Sequence, residues 1–223
     1  MKTTTTWFTR ELFQFLVDLK FHNDRGWFNA NKERYQEHFK KPMLHFIEEL
    51  APRLAKVNPA YIADARSLFR IYRDTRFSAD KTPYKTHAAA QFRHRAASGD
   101  VHAPGFYFHL EPGDCSIGGG LWMPEPGPLA LVRKRIASRD RAWLKLKASK
   151  MPLWDADSLK RPPRGFDPEH PLVEDLKRRH FVTWVDLTDK QVCGPDLMER
   201  FLDGCRRTDP LVRFLCRALG LEA

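Results

Sequence analysis

Three arginines, two lysines, two tyrosines, three threonines, a serine and a histidine fall within eighteen residues, against two acids. The stretch is Arg70-Ile-Tyr-Arg-Asp-Thr-Arg-Phe-Ser-Ala-Asp-Lys-Thr-Pro-Tyr-Lys-Thr-His87. It is rich in hydrogen-bond donors and positive charge and poor in nucleophiles, a set that suits holding a carboxylate or phosphate better than attacking one. Arg70, Arg73, Arg76, Lys81, Tyr84 and Lys85 are the candidate anion-binding residues, and Asp74 is placed to orient one of the arginines. Asp80-Lys-Thr-Pro is turn chemistry, because an Asp side chain accepts from a backbone N–H two residues on. The competing explanation is a strand end whose cations are only solvated.

A second group lies downstream. In Phe106–Glu111, strand alternation puts Tyr107, His109 and Glu111 on one face and Phe106, Phe108 and Leu110 on the other. His109 and Glu111 are the candidates for acid–base chemistry. With His87 from a neighbouring strand they would make three metal ligands, but spacing does not show a closed ligand set, so no metal or cofactor is expected. The expectation is a polar network joining His109 and Glu111 to the basic loop. Gly118-Gly-Gly-Leu-Trp-Met-Pro-Glu-Pro126 is not a phosphate loop, since it lacks the G-x-x-x-x-G-K-[ST] pattern. Consecutive glycines in a strand permit a bulge or a close approach, and Trp122 beside them is a candidate pocket wall. A second basic cluster, Arg133 to Lys147, reads as a solvated helix face, or as part of a polyanion groove with Trp143 available for stacking.

The elements that must position these residues follow from period and punctuation. Leu12, Phe13, Leu16 and Leu19 recur at helical spacing behind a Thr9 cap. A further helix is predicted from Trp27 to about Lys40, ended by Pro42, which also suits the first turn of the next helix. Ser67–Tyr72 alternates as a strand does, followed by a loop from Asp74 to Pro83. Strands are predicted over 86–95, 105–111 and 115–122, with turns at 96–100 and 111–114, so an antiparallel meander is the economical arrangement. Helices are predicted at 126–138 and 139–149, and another, capped by Asp167, ends near Arg179. A late strand at 181–186 precedes two C-terminal helices. The expected fold is α+β: a meander of four to five strands with N-terminal and C-terminal helices, in a single domain over 1–223. Its parts are a helical 1–65, a mainly stranded 66–123, and a mainly helical 124–223 with one late strand.

Composition limits the class. The 223 residues are 42% hydrophobic and 12% aromatic, enough for a sizeable core. No apolar run reaches the length of a membrane span, and the first residues lack a signal-peptide apolar segment, so a cytoplasmic location is expected. Cys115, Cys193, Cys205 and Cys216 form no C-x-x-C pair and read as free thiols. The net charge of +10 is uneven. Residues 66–95 carry eight basic and two acidic side chains and residues 133–150 carry eight and one, while 96–132 hold no lysine or arginine. Patchy positive charge favours an anionic partner.

The stretch 70–87 resembles the hallmark of the family called domain of unknown function twenty-four sixty-one. Asn23–Tyr35, Pro104–Pro112, Gly118–Pro126 and Leu159–Asp167 are similar to it as well, so the resemblance covers nearly the whole chain. Gly26 departs from it, where a glutamate or similarly long side chain is expected. The resemblance implies no reaction, cofactor or partner. From the residues, the expected function is binding, with or without turnover, of a small anionic ligand at the basic strand and loop. The alternatives are a nucleic-acid-binding module in which both basic clusters form one stripe, and a protein-interaction domain.

Overall fold

Phe46, Phe108 and Phe201, three rings 5.1–5.5 Å apart, show how helices and sheet share one core. They come from α4 (Lys41–Val57), β3 (Gly105–Glu111) and α9 (Leu197–Ala218). A computed structural model describes residues 5–97, 99–100 and 102–222. Its five-stranded sheet has the order β1-β2-β3-β4-β5, every neighbour antiparallel: β1 (Tyr61–Ile62), β2 (Ala88–His94), β3, β4 (Asp114–Leu121) and β5 (Phe181–Leu187). The α+β meander expected from the sequence is the architecture observed.

Alternation divides the sheet into two faces. Ala88, Ala90 and Phe92 of β2, Phe106, Phe108 and Leu110 of β3, and Cys115, Ile117 and Gly119 of β4 face the helices. Against them lie α1 (Arg10–Phe21), which buries Leu12, Phe13, Phe15, Leu16 and Leu19, together with α4 and α9. Two glycines set how closely α9 approaches. A Cβ on Gly119 would lie 2.5 Å from Thr208 Oγ1, and one on Gly204 would lie 2.8 Å from Ile117 Cγ2. A second apolar cluster joins Leu121 and Phe181 to α5 (Pro126–Ala137), α6 (Arg141–Ala148), α7 (Val173–Lys177) and the last turns of α9. Among the described residues no helix covers the opposite face of β2–β5, which holds the candidate site.

Several local expectations change. Thr9 occupies the N-cap of α1 with extended backbone, but its side chain makes no cap bond. Helix α2 (Arg25–Ala30) is capped by Asp24, which accepts from Trp27 N at 2.9 Å. The chain then runs through α3 (Lys32–Arg34) and a π-helical turn, Tyr35–Lys40, directly into α4. Pro42 therefore does not stop the helix. It has no N–H to donate, and the wide turn just before it absorbs the missing bond while Pro42 sits in the first turn of α4.

Ser67–Tyr72 is not one strand. Ser67 ends a 3-10 turn, and the following extended backbone makes only two isolated bridges, Leu68 to Ala90 and Tyr72 to Tyr84. Two different partners hold its two ends, which prevents a continuous ladder. The strand β1 lies inside the stretch expected to be helical, and its two residues are too short to show a period. Asp167 caps no helix: it accepts from Glu169 N in a turn, and α7 begins only at Val173. The C-terminal pair is α8 (Asp189–Val192) and α9, as expected. No described helix is long and apolar enough to cross a membrane.

Candidate functional site

The side chains on the open face follow from register. Ala89, His109, Ser116 and Asp186 make one row across the sheet, and Gln91, Tyr107, Gly118 and Trp184 make the next. Phe69 adds to this face because its N–H donates to Ala89 O at 2.9 Å, laying the 68–72 segment beside β2. Its ring lies 6.2 Å from that of Tyr107. Between Phe69, Tyr107, Trp122 and Trp184 runs a groove of about 480 Å³ with Gly118, Gly119 and Gly120 in its floor. Trp122 and Trp184 remain 48% and 42% exposed, unusual for the largest apolar side chains. Trp122 is held by stacking on His180, with centroids 4.3 Å apart, and His180 is fixed by accepting from Met123 N.

The three glycines have different reasons. Gly119 is needed for the approach of α9, as described above. Gly120 has φ +142° and its Cβ would lie 2.0 Å from Phe181 O, so backbone geometry excludes a side chain. Gly118 is under neither constraint, since a Cβ there would meet only ordinary contacts at 3.6 Å, with Thr183 O and Tyr107 Cβ. What a larger residue at 118 would fill is the groove.

Polar groups gather at one end. Lys85, in the hairpin arm leading into β2, lies over the Phe69 ring, its Nζ 5.1 Å from the centroid. Burial, with the Arg70 charge behind it, lowers the Lys85 pKa from its ordinary value. His87 and His109 have ring centroids 4.7 Å apart. Burial, reinforced by His109 and Lys85, depresses the His87 pKa to about 4. Burial pushes the Tyr107 hydroxyl up to about 12, and its Oη lies 3.4 Å from His109 Nδ1. His109 Nε2 is 3.7 Å from Glu111 Oε2, and Lys20 Nζ is 3.7 Å from Glu111 Oε1. The acid's cation partner thus comes from the last turn of α1, in place of the expected basic loop. One ligand atom from each of His87, His109 and Glu111 lies within 4.8 Å of the others.

The remaining loop candidates turn inward on the loop itself. Arg73 donates to the Asp80 carboxylate and the Thr82 hydroxyl. Asp74 orients Arg76 through two bonds of 3.0 and 2.7 Å. Lys81 donates to Thr75 O at 2.9 Å. Tyr84 is in the core, its ring stacked 4.0 Å from that of Phe28, with its backbone tied to Asn23. Arg70 is exposed. Of the sequence candidates, Lys85, His109 and Glu111 meet on the open face. Arg73, Arg76, Lys81 and Asp74 build the hairpin loop.

The 133–147 cluster disperses. Arg133 is buried and donates to Arg178 O, Arg135 bonds Asp140 and Arg217 O, and Lys147 bonds Asp175. Trp143 is fully buried, its indole N–H on Asp175 Oδ2 at 3.0 Å, so it offers no surface for stacking. Lys145 instead joins Lys150, Arg206, Arg207, Arg213 and Arg217 around a groove of about 660 Å³ beside β5. The sequence reading missed this grouping, because its members are separated by as many as 72 residues (145 to 217). All four cysteines are free.

The family model described as Conserved hypothetical protein (DUF2461) matches residues 11–214. No curated protein matches the chain.

Proposed function

The chain belongs to the conserved hypothetical protein family DUF2461, and from that premise we propose that it binds a small molecule with a planar apolar body and a carboxylate or phosphate group. The body lies over Gly118 between Tyr107, Trp122 and Trp184. The anionic group points to the end where Lys85, His87 and His109 gather. Gly118 is the observation that carries this reading: neither packing nor backbone requires its missing side chain, and the groove above it does. The volume falls in the range of small-ligand sites, and aromatic walls with few polar groups at one end are their usual lining. Lys85, partly desolvated over Phe69, gains more from an anion than a fully hydrated lysine does. His109, with Glu111 behind it, is the side chain placed to exchange a proton with such a ligand.

The test uses 4-nitrophenyl phosphate, its parent phenol and inorganic phosphate, by calorimetry and thermal shift, with absorbance reporting any turnover. The aryl phosphate is expected to bind more tightly than either part. Gly118→Leu and Lys85→Ala should each weaken it about tenfold, roughly 1.4 kcal/mol. An unchanged Kd in Gly118→Leu, or no binding of any of the three at millimolar concentration, overturns the reading.

One observation favours a second reading, a nucleic-acid strand along the groove beside β5. Six cations and a single acid, Asp209, line it, and Asp209 is itself bonded to Arg213 at 2.5 Å. Binding of single-stranded DNA or RNA that falls steeply with salt supports this reading, and negligible binding at low salt removes it.

A further inference from the structure

We propose that His87, His109 and Glu111 bind one divalent transition-metal ion at the end of the open sheet face, sharing His87 and His109 with the anion end of the proposed ligand groove. His87 lies in the bend just before β2, His109 and Glu111 lie on the neighbouring β3, and one ligand atom of each comes within 4.8 Å of the others. Nevertheless, none hydrogen-bonds another. The His109–Glu111 separation is 3.7 Å, the two imidazole centroids are 4.7 Å apart, and the set of ligand atoms spans up to 4.8 Å. Polar groups that converge without bonding surround a gap, and a cation fills it. On a tetrahedral ion with bonds of about 2.0–2.1 Å, ligand atoms lie about 3.3 Å apart. Closing the remaining distance takes rotation of half-buried side chains and no movement of strands.

The surroundings suit a ligand set. Among the described residues no hydrogen bond engages the His87 ring, whose centroid lies 4.7 Å from that of His109. Tyr107 Oη beside His109 Nδ1 leaves Nε2 turned toward Glu111, the arrangement in which a second group fixes the orientation of a metal-bound histidine. Among the described residues the one Lys or Arg paired with Glu111 is Lys20, whose side chain is 67% exposed and 3.7 Å away, a contact easily exchanged. Two imidazoles and one carboxylate select zinc, cobalt or ferrous iron over calcium or magnesium. Three protein ligands leave a coordination position open.

The experiment titrates Zn²⁺ into chelator-stripped, dialysed protein by calorimetry and follows Co²⁺ by its visible absorption. The expected result is one ion per chain, with a Co²⁺ band typical of four- or five-coordination. His87→Ala, His109→Ala and Glu111→Gln should each weaken Zn²⁺ at least tenfold and abolish the band. Lys20→Ala should bind as tightly as the parent or more tightly, since a competing cation is removed. Circular dichroism and Tm check the fold of each variant. Should a histidine variant fail to fold, Glu111→Gln, nearly isosteric and only partly buried, decides alone. Absence of saturable Zn²⁺ and Co²⁺ binding overturns the proposal, and so does binding unchanged in Glu111→Gln, which would place the ion on other histidines. Aryl-phosphate binding is measured on the stripped protein, so either site can fail while the other stands.

Discussion

Arg73 donates to the Asp80 carboxylate and the Thr82 hydroxyl, and Asp80 also accepts from Thr82 N at 2.9 Å. The Thr82 amide first and Arg73 second hold the Asp80 pKa down to about 2, from an ordinary 3.8. The folded pKa is the lower one, so the ionised form is favoured by folding. Its contribution to loop order is complete above the ordinary value and is lost as pH falls toward 2. The Thr82 amide shift in NMR should titrate with a midpoint near 2, and Asp80→Asn should remove that titration. A midpoint near 3.8 would show that the loop network does not form. Residue types and spacing show both acceptors of this loop, Asp74 for an arginine and Asp80 for the amide two residues on, but not that Arg73 folds back onto Asp80 in place of facing a ligand. Tyr84 teaches the same point. Its residue type suits an anion, while its neighbour, Phe28, lies 56 residues earlier in the chain. Tyr84→Phe should leave aryl-phosphate affinity unchanged, whereas Tyr84→Ala should cost about 3–5 kcal/mol by denaturant melts, as for other buried aromatic truncations. A tenfold loss of affinity in Tyr84→Phe would return the hydroxyl to the site.

At the scale of elements, the strands with clear alternation were legible to within a residue or two: 105–111 coincides with β3, and 115–122 and 181–186 nearly coincide with β4 and β5. The 67–72 segment also alternates, yet its ends bridge to two different partners, and period alone does not report pairing. The glycine run is the clearest case of one sequence feature with three causes. Gly118→Ala should change stability by less than about 0.5 kcal/mol, since its Cβ meets only ordinary contacts. Gly119→Ala should cost about 1–3 kcal/mol, because Thr208 on α9 has to move away. Gly120→Ala should cost at least as much, since its φ of +142° and the Phe181 carbonyl both oppose a side chain. Urea melts of the three variants rank these outcomes, and a Gly118→Ala as damaging as Gly119→Ala would give position 118 a packing role and remove the argument for a groove floor.

Across the whole molecule, the positive charge that composition reports is sorted into two places by folding. Arg73, Arg76 and Lys81 of the 70–87 hairpin and Arg133, Arg135 and Lys147 of the second run are engaged by carboxylates and backbone carbonyls. The groove beside β5 collects its cations from the end of α6, the residues after it and one side of α9, which only the tertiary fold brings together. Thr183 and Trp184 line both grooves, so strand β5 separates a basic channel from the aromatic pocket. That arrangement lets the two functional readings be separated in one set of variants. Arg206→Glu with Arg207→Glu should weaken single-stranded DNA binding and reduce its salt slope by about 0.7 for each lost phosphate contact. The aryl-phosphate Kd should not change in that double variant, because neither arginine reaches the open face. Trp184→Ala should do the reverse, weakening the aryl phosphate severalfold while leaving the salt slope intact, because a lost aromatic wall removes contact area and no charge. If the double variant also loses the aryl phosphate, the two grooves act as a single anion site continuous around Trp184.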